Sequence, residues 1–175
     1  MKKLLVVLVL SISISSIAQG KKAIKNASGD LIGITTRADF DQQPYANWFK
    51  RYSDSYTIDQ KVAKKLKKAL KEVTIKAFMG TWCGDSKRET PKFYKVLEAA
   101  DFDLKNLEMI TVNRGKRTPD HLEKGFKIRR VPTFIFFKGG KEIGRYVEFA
   151  RESLEKDMLK IVTGKAYKHS YDHSK

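Results

Sequence analysis

The hydrophobic positions of this chain change between strand-like and helix-like spacing from residue 57 to residue 164. Dense runs of β-branched, aliphatic and aromatic residues predict buried strands at 73–79 and 107–112. Two further runs, 131–137 and 142–147, flank Gly139-Gly140 and predict an antiparallel hairpin. Capping residues and helical spacing predict four helices. The first begins with a capping box at 57–60, the second covers 85–100, and the third covers 118–126. The closing helix presents Leu154, Met158, Ile161 and Val162 on one face and ends at Gly164. This alternation predicts an α/β domain over residues 57–164.

The first 18 residues have the pattern of a secretory signal peptide. Two lysines precede an apolar, serine-punctuated run at 4–17, and small residues precede a cut at Gln19. The run is too short and too rich in serine to predict a membrane span, and an uncleaved N-terminal anchor is the alternative. We therefore expect an exported protein, periplasmic or secreted, with no transmembrane segment after signal cleavage.

Residues 19–56 form an N-terminal extension that begins polar and then carries a short predicted strand at 31–36. It is rich in aromatic residues, namely Phe40, Tyr45, Trp48, Phe49, Tyr52 and Tyr56. Such density predicts packing onto the domain core, either as a structural extension or as a lid or partner surface near the active site.

Residues 165–175 form a polar C-terminal tail that we expect to be disordered. His169 and His173 have i, i+4 spacing with Asp172 between them. Two histidines without a third ligand on a fraying terminus make a weak site, so we predict no metal.

The single cysteine, Cys83, lies between the strand at 73–79 and the helix that follows it. The unpaired N–H groups and the macrodipole of a helix N-terminus stabilise a thiolate, which is the nucleophile in disulfide chemistry. Ser86 can donate its hydroxyl to the sulfur, Lys87 adds positive field, and Asp85 opposes both. A buried, inert cysteine is the alternative.

The motif Trp82-Cys83-Gly84-x-x-Lys87 resembles the thioredoxin active site, Trp-Cys-Gly-Pro-Cys-Lys. Pro91 matches the proline that kinks the thioredoxin active-site helix, and residues 130–141 resemble the cis-proline segment and its hairpin. The likeness covers about residues 60–164 and is greatest to secreted bacterial thioredoxin-like proteins of the TlpA type. It implies a thioredoxin-like α/β fold whose central mixed β-sheet is flanked by helices on both faces.

The resemblance also implies a substrate groove. Its residues would be Trp82, Gly84, Val131, Pro132 and Thr133, with a cis Val131–Pro132 bond facing the cysteine. A trans proline in an ordinary edge strand is the alternative.

The chain departs from the thioredoxin pattern at four positions. Ser86 replaces the resolving cysteine and Asp85 the usual proline, while Ala77 replaces a buried acid and Glu148 a glycine beside the groove. A single thiolate forms mixed disulfides but needs an external thiol for release. We therefore expect thiol–disulfide exchange with protein or low-molecular-weight thiols and disulfides, without a cofactor. A redox-inactive binding module that uses the cis-proline groove or the basic surface is the alternative.

The formal net charge of +16 favours acidic proteins or an anionic envelope surface as partners. We expect no specific nucleic-acid binding, because the basic residues are spread along the chain without a recognised motif. The densest lysine cluster, at 61–71, lies mostly off the apolar stripe of its helix and predicts a solvated face.

Overall fold

The computed structural model describes residues 22–172, so the predicted signal peptide and His173 lie outside the described part of the chain. The described residues contain six strands: β1 (Ile24–Lys25), β2 (Leu31–Thr35), β3 (Val73–Met79), β4 (Leu107–Thr111), β5 (Thr133–Lys138) and β6 (Lys141–Val147). The α-helices are α1 (Tyr45–Asp54), α2 (Gln60–Ala69), α3 (Gly84–Ala99) and α4 (Leu154–Val162). Short 3₁₀ turns cover Arg37–Asp41 and Leu104–Asn106.

The strands form one mixed sheet in the order β1-β2-β4-β3-β5-β6. Strand β3 pairs in parallel with β4 and antiparallel with β5, so that Phe78 lies between Ile110 and Thr133. The predicted strand at 73–79 and the hairpin around Gly139-Gly140 are confirmed. The mixed α/β fold expected from the sequence is therefore present, with β3 near the centre of the sheet.

Alternating residues of β3 face two separate apolar clusters. Ala77 and Met79 belong to the larger cluster, which also contains buried residues from each of α1, α2, α3 and α4, whereas Phe78 belongs to the smaller one. Leu122, Phe126 and Ile128 pack against the smaller cluster. Among the described residues, the segment 113–130 thus packs on this second face.

The helix predicted over 118–126 is wrong, because this segment folds as consecutive turns. The Oγ1 atom of Thr118 accepts a hydrogen bond from the Leu122 amide at 2.8 Å, as an N-cap would. However, His121 and Gly125 have φ values of +54° and +88°, in the left-handed region that a right-handed helix cannot include. The apolar residues of the segment still reach the sheet, but on a loop.

The capping box predicted at 57–60 is also wrong. Helix α2 begins at Gln60, and Asp59 is its N-cap. The Asp59 carboxylate accepts hydrogen bonds from the amides of Lys61 at 2.9 Å and Val62 at 3.2 Å. An aspartate directly before the first helical residue satisfies these amides, and Thr57 lies too far from them.

The N-terminal extension packs onto the domain, as its aromatic density predicts. Strand β2 pairs antiparallel with β4, which makes the extension part of the sheet. Phe40 is fully buried and stacks on Phe49 with ring centres 5.6 Å apart. Both rings contact Tyr94 of α3. These contacts favour the structural interpretation of the extension.

Residues 165–172 of the tail pack against the domain, where the sequence predicts disorder. Tyr167 donates a hydrogen bond to the buried carboxylate of Asp157, and Ser170 donates one to the Phe149 carbonyl at 2.7 Å. The Tyr171 ring lies 5.7 Å from the ring of Phe149.

Between residues 22 and 172, no helix has the length and apolar character needed to cross a bilayer.

Candidate thiol site

Cys83 is the N-cap of α3, at the carboxyl end of the central strand β3. Its backbone φ and ψ of −88° and 128° are extended, and its carbonyl accepts the first helical hydrogen bond, from the Lys87 amide at 3.0 Å. The side chain is half-buried and unpaired with another cysteine. The sulfur therefore lies where the N–H groups of the first helical turn are directed, as the sequence predicts.

The thiol faces the segment that contains Pro132. The Cys83 Sγ donates a hydrogen bond to the carbonyl of Val131 at 3.3 Å, and the Val131–Pro132 peptide bond is cis. Thr133 is buried and donates to the Arg130 carbonyl at 2.8 Å, which fixes the turn that precedes β5. Residues 48 positions apart in the chain thus form one site.

A cavity of about 870 Å³ opens beside the sulfur. Four of the predicted site residues line it, namely Trp82, Cys83, Val131 and Thr133. Pro132 is buried behind them, Gly84 is exposed at the first turn of α3, and Lys87 is half-buried outside the cavity. The structure therefore brings together the residues of the predicted groove, but leaves Gly84 and Lys87 at its margin.

Ser86 is fully buried, and its Oγ accepts a hydrogen bond from the Gly80 amide at 3.1 Å. This bond links the first turn of α3 to the end of β3. The structure records the Val131 carbonyl as the partner of the Cys83 thiol, so donation from Ser86 to the sulfur stays a prediction.

The negative charge of Asp85 is paired with Arg88, a contact that the sequence analysis did not predict. Its carboxylate lies 2.6 Å from the guanidinium of Arg88, which also contacts Glu89 at 2.9 Å. The opposition of Asp85 to a neighbouring thiolate is therefore reduced, because the negative charge is shared with a cation one turn away.

Glu89 is a buried acid on α3 that the sequence analysis missed. Its carboxylate accepts hydrogen bonds from the Tyr146 hydroxyl and from Lys92, both at 2.9 Å. Burial, with the charge of Glu89, raises the pKa of Tyr146 above its ordinary value. The sequence does indicate that Glu89 is buried, because its helical spacing places it on the same face of α3 as the buried residues Ser86 and Phe93.

The indole of Trp82 forms one side of the site, and its position requires a glycine at residue 80. Its Nε1 donates to the Val112 carbonyl at 2.8 Å, which places the indole against the backbone of Gly80. A Cβ atom at Gly80 would lie only 2.5 Å from the ring. Gly80 was not singled out from the sequence, because only the tertiary contact reveals the close approach.

Among the residues that the structure describes, five basic side chains line the cavity, and the sequence analysis missed their grouping. They are Lys116, Lys127, Arg129, Arg130 and Arg145. The first four belong to the non-helical segment 113–130, which carries seven Lys and Arg residues against Asp120 and Glu123. The density of charge in this segment was a signal, but the sequence analysis took the basic residues as spread along the whole chain.

Glu148 occupies the position beside the groove where the resemblance implies a glycine. Its φ of +60° is left-handed, and its amide donates to the Pro132 carbonyl at 2.8 Å. Its carboxylate lies 3.3 Å from Arg130, whose guanidinium also lies 3.7 Å from the centre of the Tyr171 ring. The tail thus forms part of the cavity wall.

Within residues 22–172, no group of three or more His, Cys, Asp and Glu residues could hold a metal ion.

Known proteins resemble most of this domain. A thioredoxin-like protein of Acanthamoeba polyphaga mimivirus is 32% identical over 89 residues, which are 51% of this chain and 62% of that protein. Thioredoxin of Geodia cydonium is 27% identical over 127 residues, covering 73% of this chain and 93% of that thioredoxin. The chain therefore spans less than two thirds of the mimivirus relative and nearly all of the Geodia one.

A solved structure supports the same fold. A Pseudomonas aeruginosa protein of unknown function superposes with a TM-score of 0.50 over 73% of this chain and 81% of that one, at 14% identity. The sequence model of the thioredoxin family matches residues 55–160, from the end of the N-terminal extension through most of α4. These residues include Cys83, the cis-proline segment that faces it and the four strands β3 to β6. This protein is accordingly a member of the thioredoxin family.

Proposed function

We propose that this protein is an exported thiol–disulfide exchange protein that acts through Cys83 alone. One observation carries the proposal: the half-buried sulfur lies at the start of α3, on a cavity whose opposite wall is the Val131–Pro132 segment. The sequence contains no other cysteine, so each catalytic cycle would use a single protein sulfur.

The chemistry requires two exchange steps. The Cys83 thiolate attacks a disulfide R–S–S–R′, forms Cys83–S–S–R, and releases R′–S⁻, which takes up a proton from water. A second thiolate, R″–S⁻, then attacks the sulfur of R, which regenerates the Cys83 thiolate and yields R–S–S–R″. Ser86 cannot supply the second sulfur, so the external thiol is obligatory. It would be a low-molecular-weight thiol or a thiol of a partner protein.

The test is the capture of a mixed disulfide. The purified protein is incubated with a small disulfide, and the adduct is detected by intact-mass spectrometry. We expect one adduct on the wild type and none on Cys83→Ser. The folded wild type should also react faster than the same chain in denaturant at equal pH. A cysteine that reacts only after unfolding would contradict the proposal.

A redox-inactive binding module is the second candidate, and one contact favours it. The Cys83 thiol donates a hydrogen bond to the Val131 carbonyl, so the side chain has a structural contact with the segment that it faces. If the protein is such a binding module, the Cys83→Ser variant should bind partners as tightly as the wild type does. Thiol exchange requires that the same substitution abolish function.

The signal-peptide pattern of residues 1–18 supports the proposal of export. Expression of the full chain in a bacterial host, followed by N-terminal sequencing of the periplasmic protein, tests it. A mature chain beginning at Gln19 would support the proposal, whereas an uncut chain in the membrane fraction would favour the anchor.

A further inference from the structure

We infer that the thiols and disulfides exchanged at Cys83 carry carboxylates close to their sulfur. This inference rests on the proposed function and specifies its substrate class. The ligand chemistry could come from a small acidic thiol or from an acidic segment of a protein, and the experiment below separates these sources.

The cationic side chains are concentrated at the thiol site. Lys116, Lys127 and Arg129 line the same cavity as Cys83, and none has a carboxylate within ion-pair distance among the described residues. Arg130 and Arg145 also line the cavity, but they are already paired with Glu148 and Glu142. Positive charge beside the sulfur therefore exceeds what its neighbours neutralise.

Two acids share the cavity and do not cancel this excess. Glu148 contacts Arg130, and Asp172 lies on the wall formed by the tail. The five basic residues outnumber these two carboxylates. A bound group with one or two carboxylates would bring the charges of the site close to balance.

The basic residues of α2 do not have this arrangement. Lys64, Lys65 and Lys68 are exposed along the helix, and none of them lines the cavity beside Cys83. A high net charge is by itself a solubility feature. The cavity differs because a concave surface lined by one sign of charge concentrates oppositely charged ligands and accelerates their association.

The charge also suits the exchange reaction. When the Cys83 thiolate attacks, negative charge moves onto the departing sulfur, and cations near the cavity stabilise it. Carboxylates on the substrate would hold that sulfur near Lys127 and Arg129. Both effects weaken in salt, because the screening length falls from about 10 Å at 0.1 M to about 3 Å at 1 M.

The experiment compares three small disulfides of different charge. These are 5,5′-dithiobis(2-nitrobenzoate), with two carboxylates, the uncharged 4,4′-dithiodipyridine, and cationic cystamine. Each rate with the purified protein is divided by the rate with 2-mercaptoethanol at the same pH, which removes intrinsic reactivity. At low salt we expect the normalised rate to be about tenfold higher for the anionic than for the cationic reagent, since steering changes rates by 10-fold or more. The ratio should approach one in 1 M salt.

A pair of double variants shows whether the cavity is responsible. Lys127→Gln with Arg129→Gln should lower the anionic preference several-fold, because the rate with the anionic reagent should fall more than the rate with the uncharged one. Lys64→Gln with Lys68→Gln also removes two positive charges, but from α2, and should alter neither the anionic preference nor the rate with the uncharged reagent. Equal normalised rates for all three reagents, or equal losses in both double variants, would overturn the inference. Absence of reaction with the uncharged reagent as well would instead refute the proposed function.

Two cysteine peptides, each disulfide-linked to the same reporter thiol, identify the source of the carboxylates. One carries aspartates beside the cysteine, and the other carries lysines. Faster release from the acidic peptide supports a protein segment as substrate. Preference for the small anionic reagent alone supports a small acidic thiol. A faster basic peptide would contradict the inference.

Discussion

A single glycine decides how the indole of Trp82 lies beside the thiol. Replacement by Gly80→Ala puts a Cβ atom 2.5 Å from that ring, so the ring must move and its hydrogen bond to Val112 must weaken. Overpacking of this kind costs about 1–3 kcal/mol. We expect the free energy of unfolding to fall by that amount, measured by urea denaturation.

Gly84→Ala is the matched control, since a Cβ atom there meets nothing within 4 Å. Gly84 opens α3, where alanine is the better helix former, so the expected change is a small gain in stability. Equal losses in both variants would show that the Trp82 contact is not the cause.

The second residue-scale prediction concerns Ser86→Cys. It places a second sulfur one turn after Cys83 and removes the hydroxyl that accepts from Gly80, at a cost of about 1 kcal/mol. We expect an internal disulfide to form in air and insulin-reductase activity to appear, because release no longer needs an external thiol. Thiol counting by alkylation and mass spectrometry measures the first outcome. Two free thiols after oxidation would contradict it.

Among the elements, α4 is joined to the end of the N-terminal extension through one buried acid. Glu155 accepts hydrogen bonds from the Tyr56 hydroxyl and from the Asp59 amide, the latter at 3.0 Å. Burial, followed by the contact with Glu155, raises the pKa of Tyr56. The contact therefore links the start of α2 and the residues before it to α4.

We expect Tyr56→Phe to lower the free energy of unfolding by about 1–3 kcal/mol, because a buried carboxylate loses a donor. The control is Tyr52→Phe on α1, whose hydroxyl has no hydrogen bond recorded among residues 22–172. Thermal or urea denaturation of both variants compares them. A similar change in the two would show that the contact with Glu155 contributes little.

For the whole molecule, buried tyrosines predict a loss of stability at alkaline pH. Tyr94, Tyr146 and Tyr167 have raised pKa values, in each case first because of burial. The unfolded chain releases these protons near pH 10, whereas the folded protein retains them. Their contribution to stability is therefore complete below pH 10 and is lost as the pH rises through the higher folded values.

Absorbance at 295 nm, followed with far-ultraviolet circular dichroism, measures this effect. We expect the buried tyrosines to ionise late and together with loss of helical signal. In guanidinium all seven tyrosines of the chain should titrate as one group near pH 10. A folded protein that titrates like the denatured one would contradict the prediction.

The predictions drawn from residue pattern alone succeeded where residues close in the chain interact, whereas the approach of Val131–Pro132 to Cys83 was expected only from the family resemblance. The strand at 73–79 is rich in β-branched and apolar residues, the hairpin has two glycines at its turn, and Cys83 falls where a strand pattern gives way to a helix pattern. Hydrophobic spacing and turn chemistry act over a few residues, so they can be followed along the sequence. They were sufficient for the fold class and for the place of the thiol.

The segment 118–126 shows where local pattern misleads. Thr118 and Pro119 have the types expected at a helix start, and Thr118 does accept from the Leu122 amide. The Glu123 carboxylate also binds the Thr118 amide at 3.0 Å, and the left-handed His121 turns the backbone away from a helix. The Phe126 ring lies 5.4 Å from the Phe78 ring, so a side-chain contact holds this loop against the sheet.

Residue types and spacing thus specify an α/β thioredoxin-like domain with one cysteine at the start of its active-site helix. The partners of the site come from distant parts of the chain: Val131 for the thiol, Gly80 for Ser86, and the tail residue Tyr171 for Arg130. Neither periodicity nor capping encodes such pairs, because each depends on how loops of irregular backbone are placed over the sheet. The same loops gather the basic residues around Cys83, so the charge of the thiol site emerges only when the chain is folded.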